Sequence, residues 1–371
     1  MTFRCSCNKS ESWCAGFRRT NLRKSLHYQK RILTFVSGAE TSLKCDIDNY
    51  VLMKRRTASN GVLNHCYQRV VQDELLFFSV SDYLVFFTII SVMVRKFKIR
   101  LLSLCLMIDH YHMSAIASGT KNLSDFISAC TWTYAREINP VFHRSGQLFR
   151  HNYGSAPKKG SKSARTNIIY VGNNPVERRI VKNAEDYRWN FLKYAISKNP
   201  FSEPLVIRKA SWPLRKALNE VKLHFKAGRY LTPAILKRLS SSLDKSELAQ
   251  LTDYIISTYN AIDYETAINH FGSYDNMIHS MHATTGSEHD LNELFIGKSD
   301  AHYPLLIKQT MKKAGLNDIH DLFNLPEEER YDLLDYLCRH SDADSRQIAA
   351  LLRIKVKFNE GMREMQLPDN Q

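Results

Sequence analysis

The order in which hydrophobic periods succeed one another between Gly61 and Asn173 constrains this chain most strongly. Strict alternation or a short apolar run marks a strand, and recurrence every 3.6 residues marks a helix. Residues 62–71 read as a first strand. Asp82 is placed to cap a helix running through Arg95, with Tyr83, Phe86, Phe87 and Ile90 on one stripe. Two strands follow, 100–107 and 109–117. A helix starts at Asn122 or Ser124 and is stopped after Ile138 by Asn139-Pro140. Residues 146–155 read as a fourth strand, then a basic loop, Pro157-Lys158-Lys159-Gly160-Ser161-Lys162. A short helix over 163–173 has to yield at Pro175.

That order is β-α-β-β-α-β with one added helix. It predicts an α+β chain whose sheet has the ferredoxin-like split arrangement. After Pro200 strand signals vanish, and 214–228, 233–239, 244–260, 263–271, 304–314 and 326–340 read as helices. Residues 284–300 read as a loop. The expected division is a basic, disordered extension over 1–55, with Met53 an alternative start, the α+β domain over 56–198, and an all-α C-terminal domain over 199–371. Residues 326–353 are a helix-turn-helix candidate in which Ser345 caps and Ile348, Leu351 and Leu352 face the core. The segment beyond Lys355 is a poor recognition helix.

Composition narrows the partners. Lys and Arg total 52 against 37 Asp and Glu, a formal net charge of +15, which points to a polyanion. The 44% hydrophobic fraction excludes a wholly disordered chain. The most apolar run, 83–94, falls short of the ~20 residues a membrane helix needs. No leader pattern opens the chain, so no membrane partner and a cytoplasmic location are expected. Eight scattered cysteines do not form a secreted disulfide scaffold, and Cys5, Cys7 and Cys14 have no second pair at zinc spacing. His270, His279, His282, His289 and His302 fit no standard metal spacing and read as surface or loop residues.

Two small groups of residues carry chemistry. His110 and His112 are two apart on a predicted strand, so their imidazoles share a face and suit a divalent metal. The pair alone is weak: with 14 His in 371 residues, chance supplies roughly half such a pattern per chain. Tyr170 and Asn174 share a helix face one turn apart. A tyrosine can be a covalent nucleophile and an Asn carbonyl a ligand for a hard cation. Arg69, Arg144, Arg150, Lys158, Lys159, Lys162 and Arg165 flank these positions in sequence. They could neutralise phosphates, while Tyr67, Phe149 and Tyr153 could stack bases, although Phe149 suits a core better. Tyr187 and Trp189 read as packing anchors.

In combination these segments become specific. Asn64-His65-Cys66-Tyr67-Gln68-Arg69, then Leu104 to His112 ending in His110-Tyr111-His112, then Gly146-Gln147-Leu148-Phe149-Arg150 with Tyr153 and Ser155, then Tyr170-Val171-Gly172-Asn173-Asn174-Pro175-Val176 occur in this order. Val181, Asp186, Tyr187 and Trp189 trail them. The set resembles the HUH single-tyrosine transposases, in particular the REP-associated tyrosine transposase branch, over about residues 61–195. The resemblance implies a metal-dependent single-stranded DNA endonuclease and strand transferase. His110, His112 and Asn174 would hold Mg²⁺ or Mn²⁺, and Tyr170 would form a 5′-phosphotyrosine. Implied partners are single-stranded or hairpin DNA, with a homodimer one assembly left open. The pattern departs from the family at Ile108-Asp109, where Pro-Asn is usual, at Val70 and at Asn152. On a regular strand Asp109 would point away from His110. A domesticated, non-catalytic regulator that binds DNA hairpins is therefore carried as the second reading, and an RNA-binding module as a third.

Overall fold

The computed structural model describes residues 60–71, 74–150, 152–284 and 299–354. The extension over 1–55, the Cys5, Cys7 and Cys14 group, His289 and the segment beyond Lys355 lie outside the described residues. Strand β1 (Leu63–Arg69) is followed by helix α1 (Val80–Lys96), β2 (Arg100–Leu106), β3 (His110–Ile116), α2 (Thr120–Ile138), β4 (Gly154–Lys158) and α3 (Gly160–Glu177). The strands form one sheet in the order β2-β3-β1-β4, every neighbour antiparallel. This is the ferredoxin-like arrangement, and the chain is α+β.

The helix starts show where local chemistry overrides a simple reading. Ser79, not Asp82, is the N-cap of α1; Asp82 is the third helical residue and completes a capping box with Ser79. The Asp82 carboxylate accepts from the backbone of Phe78 and Ser79, both at 2.8 Å. The fourth strand lies later than the pattern suggested. Residues 147–150 run beside the end of β1 through one isolated bridge, Val70 with Phe149. The regular strand takes in Pro157 and Lys158, residues that read as loop. Proline is tolerated there because β4 is an edge strand bonded on one side only, to β1. Helix α3 likewise continues through Pro175, which sits in its last turn and forfeits one backbone bond.

Further along come α4 (Trp212–Lys226), α5 (Pro233–Ser240), α6 (Lys245–Tyr259), α7 (Tyr264–Asn269), α8 (Tyr274–Ala283), α9 (His302–Ala314), α10 (Glu327–His340) and α11 (Ser345–Leu352). Helix α8 has no counterpart in the sequence reading. In the helix-turn-helix candidate Asp344 rather than Ser345 caps α11, and Ile348, Leu351 and Leu352 are fully buried as expected. Residues 56–371 form a compact unit. Buried side chains on both sides of residue 198, among them Phe86, Phe149, Leu218, Ile255 and Leu351, belong to one hydrophobic cluster. Polar ties cross the same join. Arg95 donates to the Tyr259 carbonyl at 2.9 Å, and His320 reaches the Asp82 carboxylate at 3.1 Å. Tyr187 and Trp189 anchor the packing as expected: Tyr187 donates to the Leu106 carbonyl at 2.8 Å, and Trp189 stacks on Tyr83 at 4.3 Å.

Candidate active site

The register of β1 against β3 builds one wall of the site. Arg69 lies opposite His110, Tyr67 opposite His112 and His65 opposite Ser114. Alternation then puts His65, Tyr67 and Arg69 on the same face as His110 and His112. Both histidines of the pair are fully buried, their rings 4.9 Å apart and nearly perpendicular. Their Nδ1 atoms are both engaged: that of His110 by the Asp109 carboxylate, and that of His112 by His65 Nε2 at 2.9 Å. In the tautomers with the proton on Nδ1, Nε2 is the ligating nitrogen of each ring, the orientation that outer partners impose on metal-bound histidines. Gly154 of β4 faces Tyr67, and any Cβ there would run into the Tyr67 ring.

Asp109 does not point away from His110. It is the last residue of the turn from β2 to β3, closed by Met107 N donating to the His110 carbonyl at 2.8 Å. Strand alternation has not yet begun there, so its carboxylate reaches the neighbouring ring. Arg69 pairs with the other oxygen at 3.3 Å. Burial works to raise the Asp109 pKa, but His110, Arg178 and Arg69 outweigh it and hold the carboxyl well below the usual range.

Helix α3 forms the opposite wall. Tyr170 stands edge-on to His65 and His112, with ring centroids 5.3 Å and 5.4 Å away. Asn174 follows one turn later and is 1% exposed. Its Nδ2 has no hydrogen-bond partner among the described residues. A buried amide with an unanswered edge is costly, and rotating it by 180° would aim the carbonyl oxygen the same way. Two imidazoles and that oxygen are a donor set suited to a divalent cation, so the residues present fit the implied metal. No group of three or more His, Cys, Asp or Glu at metal spacing occurs among the described residues. A centre here would therefore need Asn174 or substrate oxygens to complete it.

Helix α3 is pinned from two sides. Towards the sheet, Ser103 donates to Ser114 at 2.6 Å and Ser114 to the Asn167 carbonyl oxygen at 2.9 Å. Behind it lies α8. A Cβ on Gly172 would meet Met281 Cε at 2.7 Å, so a larger residue there would force the Met281 side chain to move. Asn173 donates to the carbonyls of Met281 and Thr284 at 2.8 and 3.2 Å.

The remaining expected contact residues are dispersed. Arg69 faces the site but is tied to Asp109. Arg150 is exposed and donates through Nε to the Val70 carbonyl at 3.3 Å. Lys158 is half-buried on β4, whereas Lys159, Lys162 and Arg165 are exposed along the first turns of α3. Tyr153 is buried, its hydroxyl 2.8 Å from that of Ser124, and offers no open ring face. Phe149 lies in the core, as expected. His270, His279, His282 and His302 are half-buried or exposed. Two participants escaped the sequence reading. His65 becomes visible only once β1 is paired with β3. Asp300, buried next to Arg178, lies far off in sequence, and no motif marks it.

Residues 74–174 match the family model described as IS200-like transposase. The matched stretch contains His110, His112 and Tyr170 and ends on Asn174. The matched residues make up little more than a quarter of the chain, which over that stretch is similar to this family. The match supports a transposase-like, DNA-binding reading of this segment. Strand β1, with His65 and Arg69, lies outside the matched residues. A solved structure titled as the REP-associated tyrosine transposase bound to a REP hairpin is similar over 37% of this chain and 79% of its own. Identity is 14% and the TM-score 0.33, a likeness too slight to carry an argument. No curated protein matches the chain. Among the described residues no helix is long and apolar enough to cross a membrane.

Proposed function

We propose that this chain is a metal-dependent single-stranded DNA endonuclease and strand transferase working through a 5′-phosphotyrosine on Tyr170. The observation that carries the reading is the meeting of Tyr170 with a buried histidine pair whose Nδ1 atoms are both engaged. His110, His112 and Asn174 would hold Mg²⁺ or Mn²⁺, which when bound supplies charge stabilisation at the scissile phosphate.

The chain's own residues do the rest. The Tyr170 oxygen bonds to phosphorus as its proton leaves, and the bond from phosphorus to the 3′ oxygen breaks. That oxygen takes up a proton to become a free 3′-hydroxyl. The phosphate stays on Tyr170, so a second 3′-hydroxyl can later attack the same phosphorus and expel the tyrosine. Strand joining then needs no ATP, because the phosphodiester energy is kept in the covalent link. His65 and Asp109 orient the imidazoles. Lys159, Lys162 and Arg165 suit the path of a DNA strand. Helix α3 opens without an acidic residue or a side-chain cap, so its N-terminal N–H groups and these cations favour an anion.

Purified protein mixed with single-stranded hairpin DNA and Mn²⁺ tests this on a denaturing gel. A nuclease-sensitive band of lower mobility, absent from Tyr170→Phe while that variant still binds the DNA, is expected. Equal adduct formation by the variant removes the nucleophile assignment. Binding with no adduct from either protein moves the weight to the non-catalytic hairpin-binding regulator.

A further inference from the structure

Where β1 ends, a cleft of about 500 Å³ opens among Val71, Glu74, His143, Arg144, Gln147 and Arg353. Its two arginines come from distant parts of the chain. Arg144 lies in the segment after α2, and Arg353 is the C-cap of α11. Arg353 has a left-handed backbone, φ 51°, where helices usually place glycine. Its guanidinium is held firmly, donating to the Phe142 carbonyl at 2.7 Å and lying 4.0 Å from the Phe323 ring centre.

Both arginines share one carboxylate. Glu74 Oε2 lies 3.4 Å from Arg144 Nη1 and 3.6 Å from Arg353 Nε. These are ion pairs, but neither is a hydrogen bond. Among the described residues Arg144 Nη1 and Arg353 Nε and Nη2, all buried, have no hydrogen-bond partner. Among the described residues, two guanidiniums against one carboxylate leave net positive charge, and Arg330 adds to it. Burial, with Arg144 and Arg330 nearby, pulls the Arg353 pKa down to about 10 against the opposing pull of Glu74. Buried forked donors with unmet N–H groups suit the oxygens of a phosphate.

The cleft begins just past the end of β1, the strand that carries His65 and Arg69. Val71 lies two residues beyond Arg69, which pairs with the Asp109 that holds His110. Arg150 bridges the interval, its N–H donating to the Arg69 carbonyl at 2.9 Å. We propose that this cleft binds a backbone phosphate of the single-stranded DNA, next to the phosphate presented to Tyr170. The proposal rests on the DNA-cleaving reading. It makes the end of α11 part of the substrate seat, which the family match over 74–174 does not cover.

Arg353 also packs against aromatic rings, so Arg144→Gln and Glu74→Gln carry the test. Anisotropy of a labelled single strand is followed across a salt series. Loss of one phosphate contact should weaken binding by roughly tenfold at low salt and reduce the log–log salt slope by about 0.7. Arg144→Gln should show both changes. Glu74→Gln should bind more tightly than wild type, a sign that a merely structural carboxylate would not give. One methylphosphonate linkage in the strand should reproduce the loss in wild type and have no further effect on Arg144→Gln. Wild-type affinity and slope in Arg144→Gln, or weaker binding by Glu74→Gln, overturn the cleft while leaving the DNA reading intact. Wild-type protein that binds no single strand overturns both.

Discussion

On the strand wall of the candidate site, His65, His110 and His112 owe their places to backbone ladders. Register alone sets which side chains meet, and each imidazole is then turned by a neighbour in the adjoining strand or turn. On the helix wall, Tyr170 and Asn174 owe theirs to packing. Helix α3 is aligned by Ser114 on one side and by Gly172 and Asn173 against α8 on the other. The strand wall is thus complete within about fifty residues of chain, whereas the helix wall depends on a helix a hundred residues further on. The placement of the histidines should therefore tolerate loosening of the C-terminal helices, and that of Tyr170 and Asn174 should not.

The largest expected effect breaks the strand wall outright. His110→Ala with His112→Ala should lose metal-dependent cleavage by at least ~10²-fold, with DNA affinity in metal-free buffer nearly unchanged. Retained Mn²⁺-dependent cleavage would remove the metal role from this pair. His65→Ala touches the same wall indirectly. Removing an outer partner of a metal-bound histidine typically costs ~10–100-fold in metal affinity. The expected readout is a matching rise in the Mn²⁺ concentration needed for half-maximal cleavage, with the saturated rate little changed. An unchanged metal requirement would reduce His65 to packing.

Gly172→Val acts on the helix wall. Overpacking against Met281 should cost ~1–3 kcal/mol, read as a lower unfolding midpoint. Cleavage should fall, and the half-maximal metal concentration should rise as well, because Asn174 rides on the same helix. An unchanged metal requirement in a variant that cleaves poorly would remove Asn174 from the metal site.

The smallest effect concerns the tie between α1 and the C-terminal helices. Burial would lower the His320 pKa, but Asp82 and Asp318 outweigh it and raise it. Lys237 also faces Asp318, at 3.7 Å. A group with a raised folded pKa stabilises fully below its ordinary value, about 6.5 for histidine, and loses that contribution as pH rises through the raised value. The difference in unfolding midpoint between wild type and His320→Gln should be largest in mild acid and shrink towards alkaline pH. A difference independent of pH would assign the contribution to stacking on Phe142 instead.

Much of this architecture is legible in the residues. Strands β1 to β3 alternate or run apolar, and Thr232-Pro233 opens its helix as expected. The errors have physical causes. Pro157 and Lys158 look like loop because their composition says nothing about an edge strand with one bonded side. Asp82 looks like a cap because Ser79 and Asp82 divide one capping box between them. Helix α8 carries two histidines, an asparagine and little apolar periodicity, yet packing on Gly172 makes it a helix that matters to the site. His110, His112, Tyr170 and Asn174 could be named from motif order. His65 needed the strand register, and the Arg144–Arg353 cleft needed the fold, since its halves lie over two hundred residues apart.

Peptide mapping reads directly whether Tyr170 becomes covalently joined to DNA. Protein incubated with single-stranded hairpin DNA and Mn²⁺ would be digested with nuclease and protease and its peptides weighed. A nucleotide joined through its 5′-phosphate is expected on the peptide containing Tyr170 and on no other. Modification of another residue such as Tyr67, or unmodified peptides from protein shown to bind the same DNA, would contradict it.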